Sequence, residues 1–143
     1  MKFIYVPFIL QACTIMIDEF IFHERRGLPL WEKIGHPLDT LSILLCYFYL
    51  LWGQADPFTY ALLAGFSCLL ITKDEFVHSK LCPAMENWLH AVLFILHPIS
   101  LFAAYQLVSS GEKSFLKIQT FITIIFMCYQ AIRWSLPWRL KTK

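Results

Sequence analysis

Two stretches of this chain carry the same acidic and imidazole residues in the same order. The first reads Asp18-Glu19-Phe20-Ile21-Phe22-His23, followed by Glu32 and His36. The second reads Asp74-Glu75-Phe76-Val77-His78, followed by Glu86 and His90. Glu19 and Glu75 stand 56 residues apart, His23 and His78 55, and both Glu32/Glu86 and His36/His90 54, as if two small loop deletions separated matching copies. Carboxylate and neutral imidazole together suit iron, manganese or zinc better than copper(I), which prefers thiolates and thioethers. The pattern predicts a site for two metal ions, iron first and zinc or manganese next. Its predicted ligands are Glu19, His23, Glu32, His36, Glu75, His78, Glu86 and His90.

Spacing supports that set. Glu19/His23, Glu32/His36 and Glu86/His90 are each four apart, so each pair shares one helix face, one turn apart. Glu75 and His78 are three apart, the Glu-x-x-His spacing of carboxylate-bridged di-iron bundles. In residue types and in this one spacing, the ligand chemistry resembles that of ferritin-like di-iron carboxylate proteins. Four further residues are read as extra ligands or as supports that orient a ligand. His97 lies two turns beyond His90, with Ile43 as its repeat counterpart; Asp39 lies three beyond His36, with Leu93 as its counterpart. Asp18 and Asp74 each precede a predicted ligand and point off its face. All five histidines fall in or beside the two copies. The structural rival is a network of Glu–His ion pairs. Four carboxylates brought together without metal would repel or take up protons, which counts against it.

The elements that hold these residues are read as membrane spans. Hydrophobic residues make up 58% of the 143, charged residues 15%, and mean hydropathy is +0.58. Soluble domains have about 45–50% apolar and about 25% charged residues. Five spans are predicted, at about 3–22, 37–52, 57–72, 88–108 and 115–134, near the ~20 residues that cross ~30 Å of hydrocarbon. They form a single transmembrane domain over 1–143. Repeat unit one covers about 3–52, unit two about 57–108, and an extra helix 115–134. The expected fold is all-α, with two tandem hairpins related by an axis along the membrane normal. They make a four-helix bundle, and the extra helix packs outside it or caps it. Gly53-Gln54-Ala55-Asp56-Pro57 reads as a tight turn. The N-terminal apolar run lacks a small-residue cleavage site and is taken as a retained span.

Lys and Arg set the expected orientation. They cluster after span one (Arg25, Arg26, Lys33), between spans three and four (Lys73, Lys80) and in the tail (Arg133, Arg139, Lys141, Lys143). The positive-inside rule puts the N-terminus outside, the C-terminus in the cytoplasm and the metal site at the cytoplasmic leaflet. Trp52, Trp88, Trp134 and Trp138 suit interfacial positions. Arg25 and Arg26 are read as lipid-phosphate contacts or as holders of an anionic head group. The five cysteines contain no Cys-x-x-Cys, which disfavours a thiolate zinc site. Phosphate-binding glycine loops, a nucleophile elbow, His-Glu-x-x-His and the eight-histidine pattern of membrane desaturases are all absent.

The leading expectation is a membrane-embedded di-iron oxidase or oxygenase, of hydroxylase or desaturase type. Its expected partners are the lipid bilayer, an apolar or lipid substrate and a redox partner; no nucleic acid is expected. A zinc-dependent membrane hydrolase is the second reading, and a metal transporter or carrier the third. Transport sites sit near mid-membrane, whereas these ligands gather at one interface.

Overall fold

In apolar surroundings every backbone N–H and C=O must be satisfied within its own segment, so long Leu-, Ile- and Phe-rich runs wind into helices. The computed structural model describes residues 2–53 and 56–135, with the side chains of Lys2, Asp74, Val77, His78 and Ser79 excepted. Asp74 and His78 therefore lie outside the described side chains, and Trp138, Arg139, Lys141 and Lys143 outside the described residues.

Helix α1 (Val6–Ile17) follows a 3-10 turn (Lys2–Tyr5) and runs into a π-helical turn (Asp18–His23) and a last α turn (Glu24–Arg26). Then come α2 (Leu30–Trp52), α3 (Pro57–Ile71), a 3-10 turn (Thr72–Asp74), α4 (Glu75–Leu81), α5 (Ala84–Ser109) and α6 (Lys113–Ser135). There is no strand among the described residues. Asp56 caps α3 by accepting the Thr59 N–H at 2.8 Å, which holds its carboxyl below the usual carboxylate range. Gly27 ends the first helical run at φ 75°, a conformation that side chains with a Cβ avoid. This sharp exit returns the chain so that Glu32, at the start of α2, comes beside Arg26.

Among the described residues, four helical stretches are long and apolar enough to cross a membrane: Phe3–Arg26, Leu30–Trp52, Ala84–Ser109 and Lys113–Ser135. The second begins well before the expected 37, so Glu32 and His36 sit on the span's own first turns. The predicted third span is the shorter apolar helix α3 of 15 residues. It reaches about 22 Å at ~1.5 Å per residue, short of ~30 Å of hydrocarbon. Large apolar side chains stand exposed around the outside, among them Phe66 and Leu69 on α3, Phe102 on α5 and Phe121 and Ile125 on α6. Soluble monomers rarely expose apolar surface on this scale.

The packing order differs from two adjacent hairpins. α1 packs chiefly on α5, while α2 packs chiefly on α6 and then on α3. The extra helix thus belongs to the bundle, because polar side chains on its last turns find buried partners on α1 and α2. The core at the end away from the acidic cluster is built from Phe8, Tyr47, Leu50, Leu101, Leu107 and Leu116. There Tyr60 donates its hydroxyl to the Leu101 carbonyl at 2.7 Å.

Candidate metal centre

An α-helix turns through about 100° per residue, which sets residues five apart well round the axis from each other. The π turn at Asp18–His23 winds i to i+5 instead, so Asp18 and His23 come onto one side. Asp18, expected to point off the ligand face, therefore enters the site. Helix α5 faces this turn and brings Glu86 and His90, while the start of α2 brings Glu32 and His36.

Two groups of ligand atoms result. Asp18, His23, Glu86 and His90 each offer one atom, all within 4.8 Å of one another. His23, Glu32 and His36 form a second group on the same criterion. In the first, Asp18 Oδ2 lies 3.1 Å from His23 Nε2 and 3.1 Å from His90 Nε2, and Glu86 Oε1 lies 3.7 Å from His23 Nε2. Metal–ligand bonds of about 2.0–2.2 Å give tetrahedral edges of about 3.4 Å, which these distances bracket. Exposure is 0% at Glu86, 1% at His23, 4% at His90 and 5% at Asp18, so bulk solvent hardly reaches these groups.

The protonation pattern of His23 decides what its ring can do. Its Nδ1–H donates to Glu19 Oε2 at 3.2 Å. A neutral imidazole then carries a bare lone pair on Nε2. That atom is buried and makes no hydrogen bond among the described residues, although two carboxylate oxygens lie near it. Asp18 Oδ1 is buried without a hydrogen-bond partner among the described residues as well. A lone pair facing two oxygen atoms is unfavourable; a proton on Nε2 or a metal ion between the atoms relieves it. The Glu19–His23 bond is the carboxylate–histidine contact that orients metal-bound imidazoles elsewhere.

Glu19 is thus placed behind His23. Trp134 Nε1 donates to Glu19 Oε1 at 2.6 Å and Gln130 Nε2 to Oε2 at 3.4 Å; Gln130 in turn accepts from Thr40 at 2.9 Å. Trp134, expected at the interface, is nearly buried. Neither residue is among the site residues that the sequence pattern predicts. Their signal was a Gln and a Trp four apart on one face of an otherwise apolar helix. Replacing Trp134 by Phe is expected to weaken metal binding about 10-fold or more, the scale of lost outer contacts to a ligand histidine. A metal titration of the purified variant checks this.

Arg26 is the counter-ion of the cluster. It donates to Glu32 at 2.7 Å and to Glu86 at 2.8 Å, which draws the guanidinium into the cluster. Glu24 is paired with Arg133 and Asp39 with Lys73, the latter at 2.6 Å. Among the described residues, the four buried carboxylates Asp18, Glu19, Glu32 and Glu86 have one guanidinium between them. Were the imidazoles neutral, three of these carboxylate charges would be left for protons or a bound cation to meet. Cys82 does not supply a thiolate, because burial and the neighbouring Glu86 carboxylate push its thiol up.

Glu75 is exposed on α4 and stands outside both groups. Asp39 is held by Lys73, and His97 has both ring nitrogens occupied deeper in the bundle, by Gln11 and Ser67. A cavity of about 200 Å³ opens from the cluster along the bundle. Asp18, His23, His36 and His90 line one end; Ile15, Phe94 and Ile122 line its walls, and Phe8 and Tyr47 the far end. A buried acidic and histidine cluster able to hold a metal, at the head of a largely apolar cavity, is what the chain builds. No protein-family model, no curated protein and no solved structure matches it.

Proposed function

We propose that this protein is a membrane-embedded metalloenzyme of the oxidase or oxygenase type. Asp18, His23, Glu86 and His90 hold the principal metal ion, with iron as the metal. The observation that carries this reading is the placement of His23 Nε2, its ring held by Glu19, buried among carboxylate oxygens with no hydrogen bond among the described residues. Two imidazoles with carboxylates and an open position is the ligand chemistry of non-haem iron oxygenases. The apolar cavity beside the cluster supports a substrate without charge, a lipid or another apolar molecule drawn from the bilayer. Iron bound there would supply a redox centre for dioxygen. The chain's own groups hold it, neutralise it and keep bulk water away. Arg26, drawn on Glu32 and Glu86, fixes the two carboxylates at the outer edge. A redox partner delivers electrons from the aqueous face. Five apolar helices in all, with the charged ends of α1, α2 and α5 on the cytoplasmic side, complete the reading.

A dinuclear form is the second reading. The group of His23, Glu32 and His36 favours it, as does the charge of the cluster, which one divalent ion does not fully neutralise. His23 has one lone pair to give, so the second ion takes Glu32 and His36 and displaces Arg26 from Glu32. The other half of the repeat, Glu75 and His78, would complete its shell.

Elemental analysis of the detergent-purified protein tests both readings. One iron per chain, with dioxygen uptake on adding lipid substrates, is expected for the first reading, and two irons for the second. Stoichiometric zinc without redox activity moves the assignment to a hydrolase. No metal after gentle purification, and no rise in thermal stability on adding Fe(II), Mn(II) or Zn(II), overturns the metal centre.

A further inference from the structure

About 10 Å below the metal cluster, counted as seven residues along α1 or α5 at ~1.5 Å each, lies a second buried polar group. Gln11, Ser42, Ser67 and His97 meet there, each at least nine-tenths buried. Gln11 Nε2 is 3.2 Å from His97 Nδ1, His97 Nε2 is 2.9 Å from Ser67 Oγ, and Ser67 Oγ is 2.7 Å from Ser42 Oγ. Ser42 donates to the Asp39 carbonyl at 2.7 Å.

The last bond fixes the direction of all the others. A hydroxyl has one proton, and that of Ser42 goes to the carbonyl, so Ser67 must donate to Ser42. Ser67 then has no proton for His97, so His97 Nε2 must carry one and donate to Ser67. His97 Nδ1 is left as an acceptor, and only the NH₂ end of Gln11 can serve it. His97 is thereby a neutral ring with both nitrogens engaged, which removes it from the candidate ligands.

The chain of bonds ends at Gln11, which lines the cavity. Its carboxamide is locked with the nitrogen toward His97. Its carbonyl oxygen and second N–H make no hydrogen bond among the described residues. A buried amide so held, at bilayer depth, is costly unless something in the cavity satisfies it. Tyr47, further along the same cavity, also has a hydroxyl with no hydrogen bond among the described residues. Among the described residues no Lys or Arg lines the cavity, so no side-chain cation beside Gln11 would compensate an anionic group.

We propose that Gln11, held by His97, recognises one uncharged oxygen function, a hydroxyl or a carbonyl, on an otherwise apolar substrate. The substrate is a neutral amphipathic lipid, its oxygen at Gln11 and the carbon to be oxidised about 10 Å away at the metal end. This deepens the reading of a metalloenzyme for apolar substrates and rests on it for the site of reaction, though not for binding.

Binding of dodecan-1-ol, 2-dodecanone, dodecane and dodecanoate to the full chain in lipid nanodiscs, measured by competition with a cavity-quenching spin-labelled alkane, tests it. The wild type is expected to prefer the alcohol or the ketone at least about 10-fold over dodecane and to reject the carboxylate. Gln11→Leu is expected to erase that preference while still binding dodecane and keeping its metal content. His97→Phe, which frees the amide, is expected to weaken the preference without abolishing it. Alcohol against ketone separates a hydroxyl from a carbonyl function. Equal binding of alcohol, ketone and alkane by the wild type, or an unchanged preference in Gln11→Leu, overturns the proposal. Metal content is read separately. A protein without metal that still prefers the alcohol or ketone refutes the metalloenzyme and leaves the recognition standing.

Discussion

His90→Ala is expected to lower metal affinity by about 100-fold or more and to abolish turnover, while Glu75→Ala keeps both. Loss of a single contact behind a ligand costs about 10–100-fold, so loss of one of the four ligand atoms themselves costs at least as much. His90 Nε2 lies on the Asp18 carboxylate inside the group, and its ring is buried. Glu75 is exposed on α4. Both residues belong to the second copy of the pattern, which makes the pair a sharp comparison. Equal metal content in wild type and His90→Ala, by plasma emission on the same preparation, would sink the proposed centre. A fall from two ions to one in Glu75→Ala would instead establish the dinuclear form.

The second large effect belongs to Arg26. Its guanidinium, about four-fifths buried, is drawn on Glu32 and Glu86, both at 0% exposure. Removing one partner of a buried ionic group costs about 3–5 kcal/mol, since the charge left behind is not solvated. Arg26→Leu is therefore expected to lower the stability of metal-free protein by that amount. Adding Fe(II) or Mn(II) is expected to recover most of the loss, because the ion takes over the neutralisation of Glu86. Denaturant or thermal melts in detergent, with and without metal, measure both. A loss of the same size under both conditions would mean that Arg26 braces the helices without reference to any ion.

Much of this arrangement was legible in the sequence because it depends on residue type and helical period. The hydrophobic runs gave the helices, and the Glu and His residues at spacing four gave most of the buried cluster. Three things were not legible, each for a physical reason. Asp18 enters through a π turn, and a 3.6-residue period assigns it to the wrong face. Arg26 pairs across 60 residues with Glu86, a contact set by how α1 lies on α5 and by no local pattern. Trp134 and Gln130 reach Glu19 across more than 110 residues because α6 joins the bundle against α2, where tandem hairpins would have left it outside. Glu75 stands exposed on α4 whereas its counterpart Glu19 is buried, so residue identity in the two copies does not by itself give equal placement.

The π turn also explains the first shift between the two copies, from 56 to 55, which had suggested a loop deletion. The first copy has one residue more between Glu and His, and that residue is absorbed inside the helix rather than in a loop. In the second copy Asp74 and His78 are four apart, the spacing of a regular helix. One residue more in the first copy is thus enough to make two matching stretches wind differently. It changes the phase of the winding while leaving every ligand identity in place. Comparison of the halves by residue identity alone would score them as equivalent; the difference between them is one of length.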